Sequence, residues 1–387
     1  MLRGDNFVHG PQDSNWKWWV AFQQTPLIGP RRIQRLLDCF GEDLEAAWRA
    51  PASQLAAAVG DQIATRIVTT RESLDLDGIV AKLTALGLTV IAFDDSRYPQ
   101  LLKETDAPPL VLYLLGTILP EDDLSIAVVG SRESTPYGRD VAREISKDLA
   151  AGGVTVVSGL ARGIDGVAHE ASLAAGGRSI AVLAGGLDWI YPAEHKGLAR
   201  RISEQGALIS EYPPGTRPVR TNFPARNRIM AGLASGVVIV EARLKSGTLI
   251  TAEYAAHYNR EVFAVPGSPA DPRAGGTNQL LRRGATLVTS AADVIEVLAP
   301  MIGKDGTPPE MQETETAVIG HGNDAPLSDD ALRTSLQNLL ASAPVSIDDL
   351  LRETKAPAGA MQIALLELEL AGRIERHGGG LVSLIAG

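Results

Sequence analysis

Three arginines lie within nine residues in the middle of the chain, at Arg220, Arg226 and Arg228. Pro224, between them, disfavours helical backbone at Phe223, so a helix is predicted to begin at or just after the proline. The start of a helix presents free backbone N–H groups and the positive end of the helix dipole. Guanidinium groups beside such a helix start favour binding of a phosphate.

A second interpretation of the same arginines is a solvated helix face whose charges are matched by carboxylates. The sequence between Tyr212 and Glu241 contains neither Asp nor Glu, which favours the phosphate site. Asn227, within the same segment, adds an amide that can donate or accept a hydrogen bond.

Loops of small residues with at least one cation follow three short apolar runs, the runs that end at Val129, Ser158 and Val240. Ligands of open α/β sheets bind beyond the carboxyl ends of the strands, and small residues let the backbone approach an anion there. We therefore predict an anion-binding rim. Its candidate residues are Gly130, Ser131, Arg132, Ser158, Gly159, Arg162, Arg220, Phe223, Arg226, Asn227, Arg228, Lys245, Ser246 and Gly247.

Motifs for catalysis and cofactors are missing from the sequence. It has no G-x-G-x-x-G after the first strand, no P-loop, no G-x-S-x-G and no H-E-x-x-H, so no cofactor is predicted. Cys39 is the only cysteine and the six histidines are scattered, so no metal site is predicted. Asp165 and His169 are four residues apart and form either a structural pair or an acid–base pair. Asp165, which follows Gly163 at a helix start, is better suited to the first turn.

The spacing of apolar segments predicts the fold class. Short β-branched runs alternate with helical patterns such as Gly138–Ala151 and Ile164–Ala175, which is typical of a doubly wound, Rossmann-like parallel sheet covered on both faces. The predicted strands are Ile126–Val129, Val154–Ser158, Ile180–Leu183, Ala207–Ser210, Val237–Val240, Val262–Val265 and Thr286–Val288, and a further strand, 88–93, precedes them.

Different segments flank this sheet domain, which we place at residues 86–299. Residues 1–85 read as a helical, SAM/helix-hairpin-helix-like module, in which Gly29-Pro30 marks either a DNA-binding hairpin or a plain packing turn. Residues 300–327 are rich in Pro, Gly, Thr and acids and predict a flexible linker. Residues 328–387 predict a winged-helix-like domain. Its expected elements are helices Asp329–Ala341, Ser346–Glu353 and Ala358–Ala371 and a hairpin over 373–384.

Charge and hydropathy bound the class of protein. The net charge is −10, but residues 125–298 carry 19 Lys and Arg against 16 Asp and Glu, so the predicted sheet domain is mildly basic between acidic flanks. Clustered arginines matter more for anion binding than the total charge. The chain has no run of eighteen apolar residues and its first fifteen residues are polar, which predicts neither a membrane span nor secretion.

A series of motifs, in this order, resembles the DNA-processing protein A (DprA/Smf) family. The similarity is dense over residues 126–290 and looser towards both ends. The motifs are Val129-Gly-Ser-Arg132, Ser158-Gly-Leu-Ala-Arg-Gly-Ile-Asp165 with Ala168-His169, Gly186-Leu-Asp188 with Tyr191-Pro192, Ser210-Glu-Tyr212, Phe223-Pro-Ala-Arg-Asn-Arg228, Ser246-Gly-Thr-Leu-Ile-Thr-Ala252 and Val265-Pro-Gly-Ser268.

The resemblance implies a cytoplasmic bacterial protein that binds single-stranded DNA entering during natural transformation, protects it and loads the RecA recombinase onto it as a homodimer. It implies that Arg132 and Arg220 grip DNA and that Phe223 stacks on a base. The family's dimer contact corresponds here to Leu280, Leu281 and Leu287, for which buried core is the competing interpretation.

Two functions of different classes remain at this point. The first is a non-enzymatic single-strand binder and recombinase loader, in which backbone capture dominates because the chain has only 18 aromatic residues. The second is a Rossmann-like hydrolase acting on a nucleotide or sugar phosphate, with Glu253 as its candidate acid. Glu253 also fits an ordinary surface carboxylate on a helix.

Overall fold

The computed structural model of the chain describes residues 16–302, 336, 345–354, 356, 358–370, 374–377 and 381–384. Two compact units divide the chain, Met1–Met311 and Gln312–Gly387. The described part of the first unit contains six helices followed by a nine-stranded sheet with helices on both faces. Within the described ranges, no helix is both long and apolar enough to cross a membrane.

The segment before the sheet is helical, as predicted, and its described residues form six helices. Asp43 and Asp75 accept hydrogen bonds from the free N–H groups of the first turns that follow them, and Gly41 ends a helix in the left-handed conformation with φ 66°. The helices are α1 Trp16–Gln23, α2 Pro30–Phe40, α3 Leu44–Arg49, α4 Ala52–Val59, α5 Asp61–Ser73 and α6 Leu76–Ala85.

The core of this helical segment is continuous with the sheet. Trp19 and Phe22 of α1 belong to the same buried apolar cluster as Val111 and Tyr113 of the sheet. The described residues 16–85 therefore share a core with the sheet, and both lie in the first compact unit.

The nine strands have the order β1-β2-β6-β5-β4-β3-β7-β8-β9. Pairing is parallel from β6 to β9, whereas β2 is antiparallel to both β1 and β6. The central strands are buried at every position, as expected for a sheet covered on both faces. The strands are β1 Thr89–Ala92, β2 Val111–Gly116, β3 Ser125–Val129, β4 Thr155–Ser158, β5 Ser179–Val182, β6 Ala207–Ser210, β7 Gly236–Ile239, β8 Glu261–Ala264 and β9 Thr286–Leu287.

The predicted doubly wound α/β class is thereby confirmed. The last helix of the sheet domain continues to Ile302, slightly beyond the predicted limit of 299, and residues 303–327 of the predicted linker lie outside the described residues. The helices are α7 Gln100–Lys103, α8 Pro136–Ala151, α9 Ile164–Ala174, α10 Lys196–Gln205, α11 Asn222–Leu233, α12 Thr248–His257, α13 Gly275–Arg282 and α14 Ala291–Ile302, with 3₁₀ turns at Pro120–Asp123 and Ala193–His195.

The described part of the second unit has winged-helix elements. The predicted hairpin is present as two paired strands, and a third short strand, not predicted, completes a sheet of order β10-β12-β11. Of the predicted helix 329–341, only Leu336, which is helical and buried, is among the described residues. The elements are β10 Val345–Ser346, α15 Ile347–Thr354, α16 Ala358–Leu370, β11 Ile374–His377 and β12 Leu381–Leu384.

Candidate nucleic-acid interface

The carboxyl ends of β4, β3 and β7 lie side by side, because these three strands are parallel neighbours. The loops that follow them therefore meet at one edge of the sheet, where the anion-binding rim is predicted. The start of α11 joins them there and closes a cavity of about 520 Å³. We call this space the edge cavity. The predicted residues that line it are Gly130, Ser131, Arg132, Phe223, Arg226, Asn227, Lys245, Ser246 and Gly247.

Helix α11 begins at Asn222, earlier than the sequence predicts. The expectation that Phe223 lies outside the helix is wrong. Pro224 occupies the first turn, where backbone N–H groups have no acceptor within the helix, so its missing N–H costs no hydrogen bond. Phe223 is consequently held at the mouth of the edge cavity by regular helix.

Arg226 places a positive charge inside the edge cavity. It is 3% exposed, and its Nη1 donates to the carbonyl of Val182 at 2.7 Å. Its buried Nε has no hydrogen-bond partner among the described residues. Burial lowers the pKa of Arg226 to about 10, which leaves the guanidinium charged at neutral pH. A buried donor without an acceptor favours an anionic ligand at this point.

Gly159 has a different role from the one predicted for it. A Cβ at this position would overlap the Arg226 guanidinium, so the missing side chain makes room for Arg226 rather than for an anion. At Gly247, in contrast, an added Cβ would meet no atom within 4 Å, and this loop is open to a ligand.

Two amides of α11 fix the neighbouring loops. Asn222 Nδ2 donates to the carbonyl of Ala184 at 3.0 Å, and Asn227 Nδ2 donates to the carbonyl of Gly247 at 3.2 Å. Asn227 therefore fixes the loop that carries Lys245, and this N–H group is not free to bind a ligand. This positions the cations of the edge cavity before any ligand binds.

Besides Gly159, four predicted site residues do not line the edge cavity. Ser158 is fully buried and donates to the carbonyl of Val128 at 2.7 Å, so its hydroxyl is used within the fold. Arg162 forms a surface ion pair with Glu194. Arg220 is exposed just before α11 and has no ion pair in the described part of the chain. Arg228 faces the other side of α11.

Arg228 fits the second interpretation of the arginine cluster, in which carboxylates match the charges of the arginines. It forms an ion pair with the largely buried Glu211 and also donates to the carbonyl of Ala107 at 2.7 Å. Its partner lies just before the acid-free stretch of sequence, which is why sequence reasoning missed it.

Aromatic rings extend the edge cavity outwards. The Arg132 guanidinium lies 5.1 Å from the Phe223 ring centroid, and the Tyr191 ring is 6.2 Å from Phe223 in an edge-on arrangement. Trp189 is 41% exposed, with Arg217 over its ring at 4.8 Å. Aromatic faces beside arginines are the groups that hold unstacked bases.

Sequence reasoning left Arg243 out of the site and did not predict the contact between Trp189 and Arg217. Arg243 lines the edge cavity and is only 3.9 Å from the exposed Glu133. Its position in the same loop as Lys245 was the available signal. The pairing of Trp189 with Arg217 joins separate loops and leaves no signal in the sequence.

Comparison with protein families identifies the chain. The family model described as DNA recombination-mediator protein A matches residues 89–299, which is more than half of the chain. This chain belongs to that family. A model described as DprA winged helix domain matches residues 322–380. The resemblance seen in the motifs is thereby confirmed.

Individual relatives agree with this assignment. Protein Smf of Synechocystis is 35% identical over 391 residues, covering 95% of this chain and 98% of its own. The structure of DNA processing protein A from Streptococcus pneumoniae superposes with a TM-score of 0.64 at 34% identity and covers 72% of this chain and 97% of its own. The Helicobacter pylori protein, described by its single-stranded DNA binding mode, gives 0.50 at 30% identity, over 55% and 96% of the two chains.

His169 is part of the scaffold of the edge cavity. It is fully buried, its Nε2 accepts from the backbone N–H of Leu160 at 3.3 Å, and its Nδ1 lies 2.7 Å from Ser179 Oγ. The Ser179 hydroxyl donates to the carbonyl of Val156, so Nδ1 must carry the proton and the ring is neutral. Both nitrogens are used, which excludes the acid–base interpretation and leaves a structural role that supports Leu160, at φ 55°.

The buried imidazole makes stability depend on pH. Burial lowers the pKa of His169 from 6.5 to about 3, so the unfolded chain binds a proton more readily than the folded chain. The contribution of the neutral, buried imidazole to the free energy of unfolding is fully present above pH 6.5. It is lost as the pH falls towards 3, with a slope of up to about 1.4 kcal/mol per pH unit. We expect His169→Gln to reduce stability at pH 7 and to flatten its pH dependence between 6.5 and 4. Urea unfolding of both proteins over this range measures the difference, and parallel curves would contradict it.

Glu253, the candidate catalytic acid, does not form an acid–base pair with the carboxylates that line the edge cavity. Glu253 is exposed on α12 and is not among the residues that line the edge cavity. The carboxylates that do line it are Glu133 and the buried Asp165. Burial raises the pKa of Asp165, and its Oδ2 accepts from the backbone N–H of Ala161 at 3.4 Å. Asp165, in the first turn of α9, thus binds the loop that precedes this helix rather than the first turn itself.

The three predicted dimer leucines lie at the end of the sheet. Leu287 is 53% exposed on β9, the edge strand, whereas Leu280 and Leu281 on α13 are half-buried. Leu280 packs against a core cluster. The core interpretation therefore applies in part to Leu280 and does not apply to Leu287.

Proposed function

We propose that the edge cavity binds single-stranded DNA through its phosphate backbone and one or more unstacked bases. The observation that supports this most directly is the combination of three features around one cavity. They are the buried Arg226 guanidinium, whose Nε has no hydrogen-bond partner within the described residues, the exposed cations Arg132 and Lys245, and the Phe223 ring. The single-stranded DNA binding described for the Helicobacter pylori relative supports the same ligand.

Single strands suit this geometry better than a duplex. The cations line a cavity of about 520 Å³ between loops, which a backbone can enter when it is not held in a double helix. Phe223 and Tyr191 can stack only on bases that are unpaired and splayed apart. Because phosphate contacts and stacking do not read base edges, little sequence preference is expected.

We propose further that this binding serves recombination. The strand would be incoming DNA in natural transformation, which the protein protects in the cytoplasm and on which it loads RecA, acting by binding rather than by catalysis. The family description as a recombination mediator supports this role. Assembly of RecA on a single strand already covered by single-strand-binding protein measures it. Loading that is not accelerated by this protein would contradict the RecA role.

We also propose a two-fold homodimer that joins β9 and α13 of two copies. An edge strand with an exposed leucine and half-buried leucines beside it offers both unpaired backbone groups and apolar surface. Two edge cavities on one dimer would hold a strand at two points and increase the avidity without new contacts.

Fluorescence anisotropy with single-stranded and duplex oligonucleotides tests the ligand. We expect tighter binding of the single strand, with affinity that falls as salt rises. Phe223→Ala should lose about 1–3 kcal/mol, the usual value for a base–aromatic stack. Leu119→Ala, at another exposed apolar position, serves as the control and should bind like the wild type. Equal affinity for duplex and single strand would contradict the proposal.

A further inference from the structure

A second cavity lies on the same side of the sheet, between the N-terminal helices and the end of β6. It has a volume of about 1040 Å³ and is lined by the α1–α2 turn, the first turns of α2, the segment 106–110 and the segment 211–213. We call it the α2 cleft. We propose that the α2 cleft binds a further stretch of phosphate backbone of the same single strand that occupies the edge cavity. This inference rests on the proposed function.

The charge of the α2 cleft favours an anionic ligand. Arg31, Arg32 and Arg35 line one wall. Arg31 and Arg35 are exposed and have no ion pair in the described ranges, and Arg32 donates only to the backbone carbonyl of Leu27. Their three charges are therefore not neutralised by neighbouring carboxylates.

The two carboxylates of the α2 cleft are already paired. Glu211 forms its ion pair with Arg228, and Asp106 lies 3.1 Å from His257 Nε2. The cleft thus presents three arginines against one carboxylate, Asp106, whose partner is a histidine rather than a permanent cation. This distribution suits a chain of phosphates, which can contact several arginines in succession.

The walls of the α2 cleft are fixed to each other. Gln23 of α1 donates to the carbonyls of Val111 at 3.2 Å and Glu211 at 2.6 Å, and its Oε1 accepts from the backbone N–H of Val111 at 2.7 Å. These bonds join the helical segment to β2 and to the end of β6. The α2 cleft is therefore a formed feature of the first compact unit.

The path between the two cavities is short. The end of β6 is three strands away from β3, which is about 14 Å at the usual strand spacing. Helix α11 lies between them, with Phe223 and Arg226 on the edge cavity and Arg228 on the α2 cleft. The exposed Arg220 precedes this helix. A strand that leaves the edge cavity can reach the α2 cleft within a few nucleotides.

Oligonucleotides of graded length test this inference. Full-length Arg31→Gln/Arg35→Gln protein is compared with the wild type for binding to oligothymidylates of about 4 and about 15 nucleotides, lengths within the range that single-strand sites cover. We expect the short ligand to bind both proteins equally, because it fills the edge cavity alone. The long ligand should bind the variant about tenfold more weakly, with a salt slope lower by about 1.4 for two lost phosphate contacts.

A matched variant controls for net charge. Arg143→Gln/Lys147→Gln also removes two exposed cations, from the middle of α8 and away from both cavities. It should bind both ligands like the wild type. Two results would show that the loss of affinity reflects the overall charge of the protein and would contradict the inference. In the first, the control and the cleft variant lose affinity equally. In the second, the cleft variant loses the same factor of affinity for short and long ligands. A cleft variant with the affinity of the wild type for the long ligand also contradicts the inference. The α2 cleft would then be better suited to an acidic segment of a protein partner.

The outcome for the wild type separates this inference from the proposed function. A wild type that binds neither ligand contradicts the proposed function itself. A wild type that binds both ligands, with no length-dependent loss in the cleft variant, contradicts only the role of the α2 cleft.

Discussion

The double variant Arg132→Ala/Arg220→Ala is expected to weaken single-strand binding by about 2–6 kcal/mol, or about 1–3 kcal/mol for each charge-assisted phosphate contact. Both side chains are exposed around the start of α11, and neither forms an ion pair in the part of the chain that the structure describes. Arg132 also lies over the Phe223 ring, so its loss removes support for the stacking face. The salt slope should fall by about 1.4.

Anisotropy titrations at several salt concentrations, with homopolymeric and mixed-sequence oligonucleotides, measure this effect. The loss should be similar for every sequence, because phosphates carry no base identity. Circular dichroism confirms that the variant is folded. A folded double variant with the affinity and salt slope of the wild type would show that these arginines do not contact the backbone.

The double variant Leu280→Glu/Leu287→Glu is expected to be a folded monomer. Leu287 is 53% exposed on the edge strand, so a carboxylate there costs little within one chain but would be buried without a partner in a dimer. Loss of the second edge cavity should reduce affinity for long oligonucleotides by about 10²-fold and leave short ones unaffected. Leu281 is kept, so that the half-buried face of α13 is disturbed at one position only.

Light scattering reports the assembly state, and the same binding series reports avidity. Leu86→Glu, at an exposed position on the N-terminal segment, is the matched control and should remain a dimer. A double variant that stays dimeric places the interface elsewhere. A variant that unfolds shows that Leu280, which packs against a core cluster, belongs to the core.

The order of the elements from β3 to β9 could be predicted from the sequence because these strands coincide with short apolar runs, whereas β2 and β10 were not predicted. The positions of the cation-bearing loops followed from one rule, that the carboxyl ends of parallel strands share an edge. That rule correctly brought Arg132, Phe223 and Lys245 to one cavity. To apply this rule, it is enough to know the direction of each strand and which strands are its neighbours in the sheet.

The roles of individual arginines could not be predicted in the same way. Arg226 and Arg228 are two residues apart, yet one points into the edge cavity and the other pairs with Glu211 on the opposite side of α11. Helical geometry turns neighbouring side chains to different faces, and which face meets solvent depends on tertiary packing. The partner of Arg228 lies across a loop that the local sequence does not specify.

The roles of individual glycines could not be predicted from the local sequence either. The sequence at Gly159 and Gly247 indicates small residues in phosphate-binding loops, but only Gly247 is open. Gly159 is required because the Arg226 guanidinium fills the space of its side chain, a contact over a long sequence separation. The α2 cleft likewise combines segments far apart in the chain, from Arg31 to Tyr212.

Hydrogen–deuterium exchange with and without a short oligothymidylate shows most directly whether the edge cavity binds single-stranded DNA, since it locates the bound strand without any mutation. We expect slower exchange in peptides that cover 130–132, 220–224 and 245–248, which are the loops and helix start around the edge cavity. Exchange in the second half of α8 should not change. Binding that leaves these three segments unprotected, and protects another surface instead, would contradict the assignment of the edge cavity as the single-stranded DNA site.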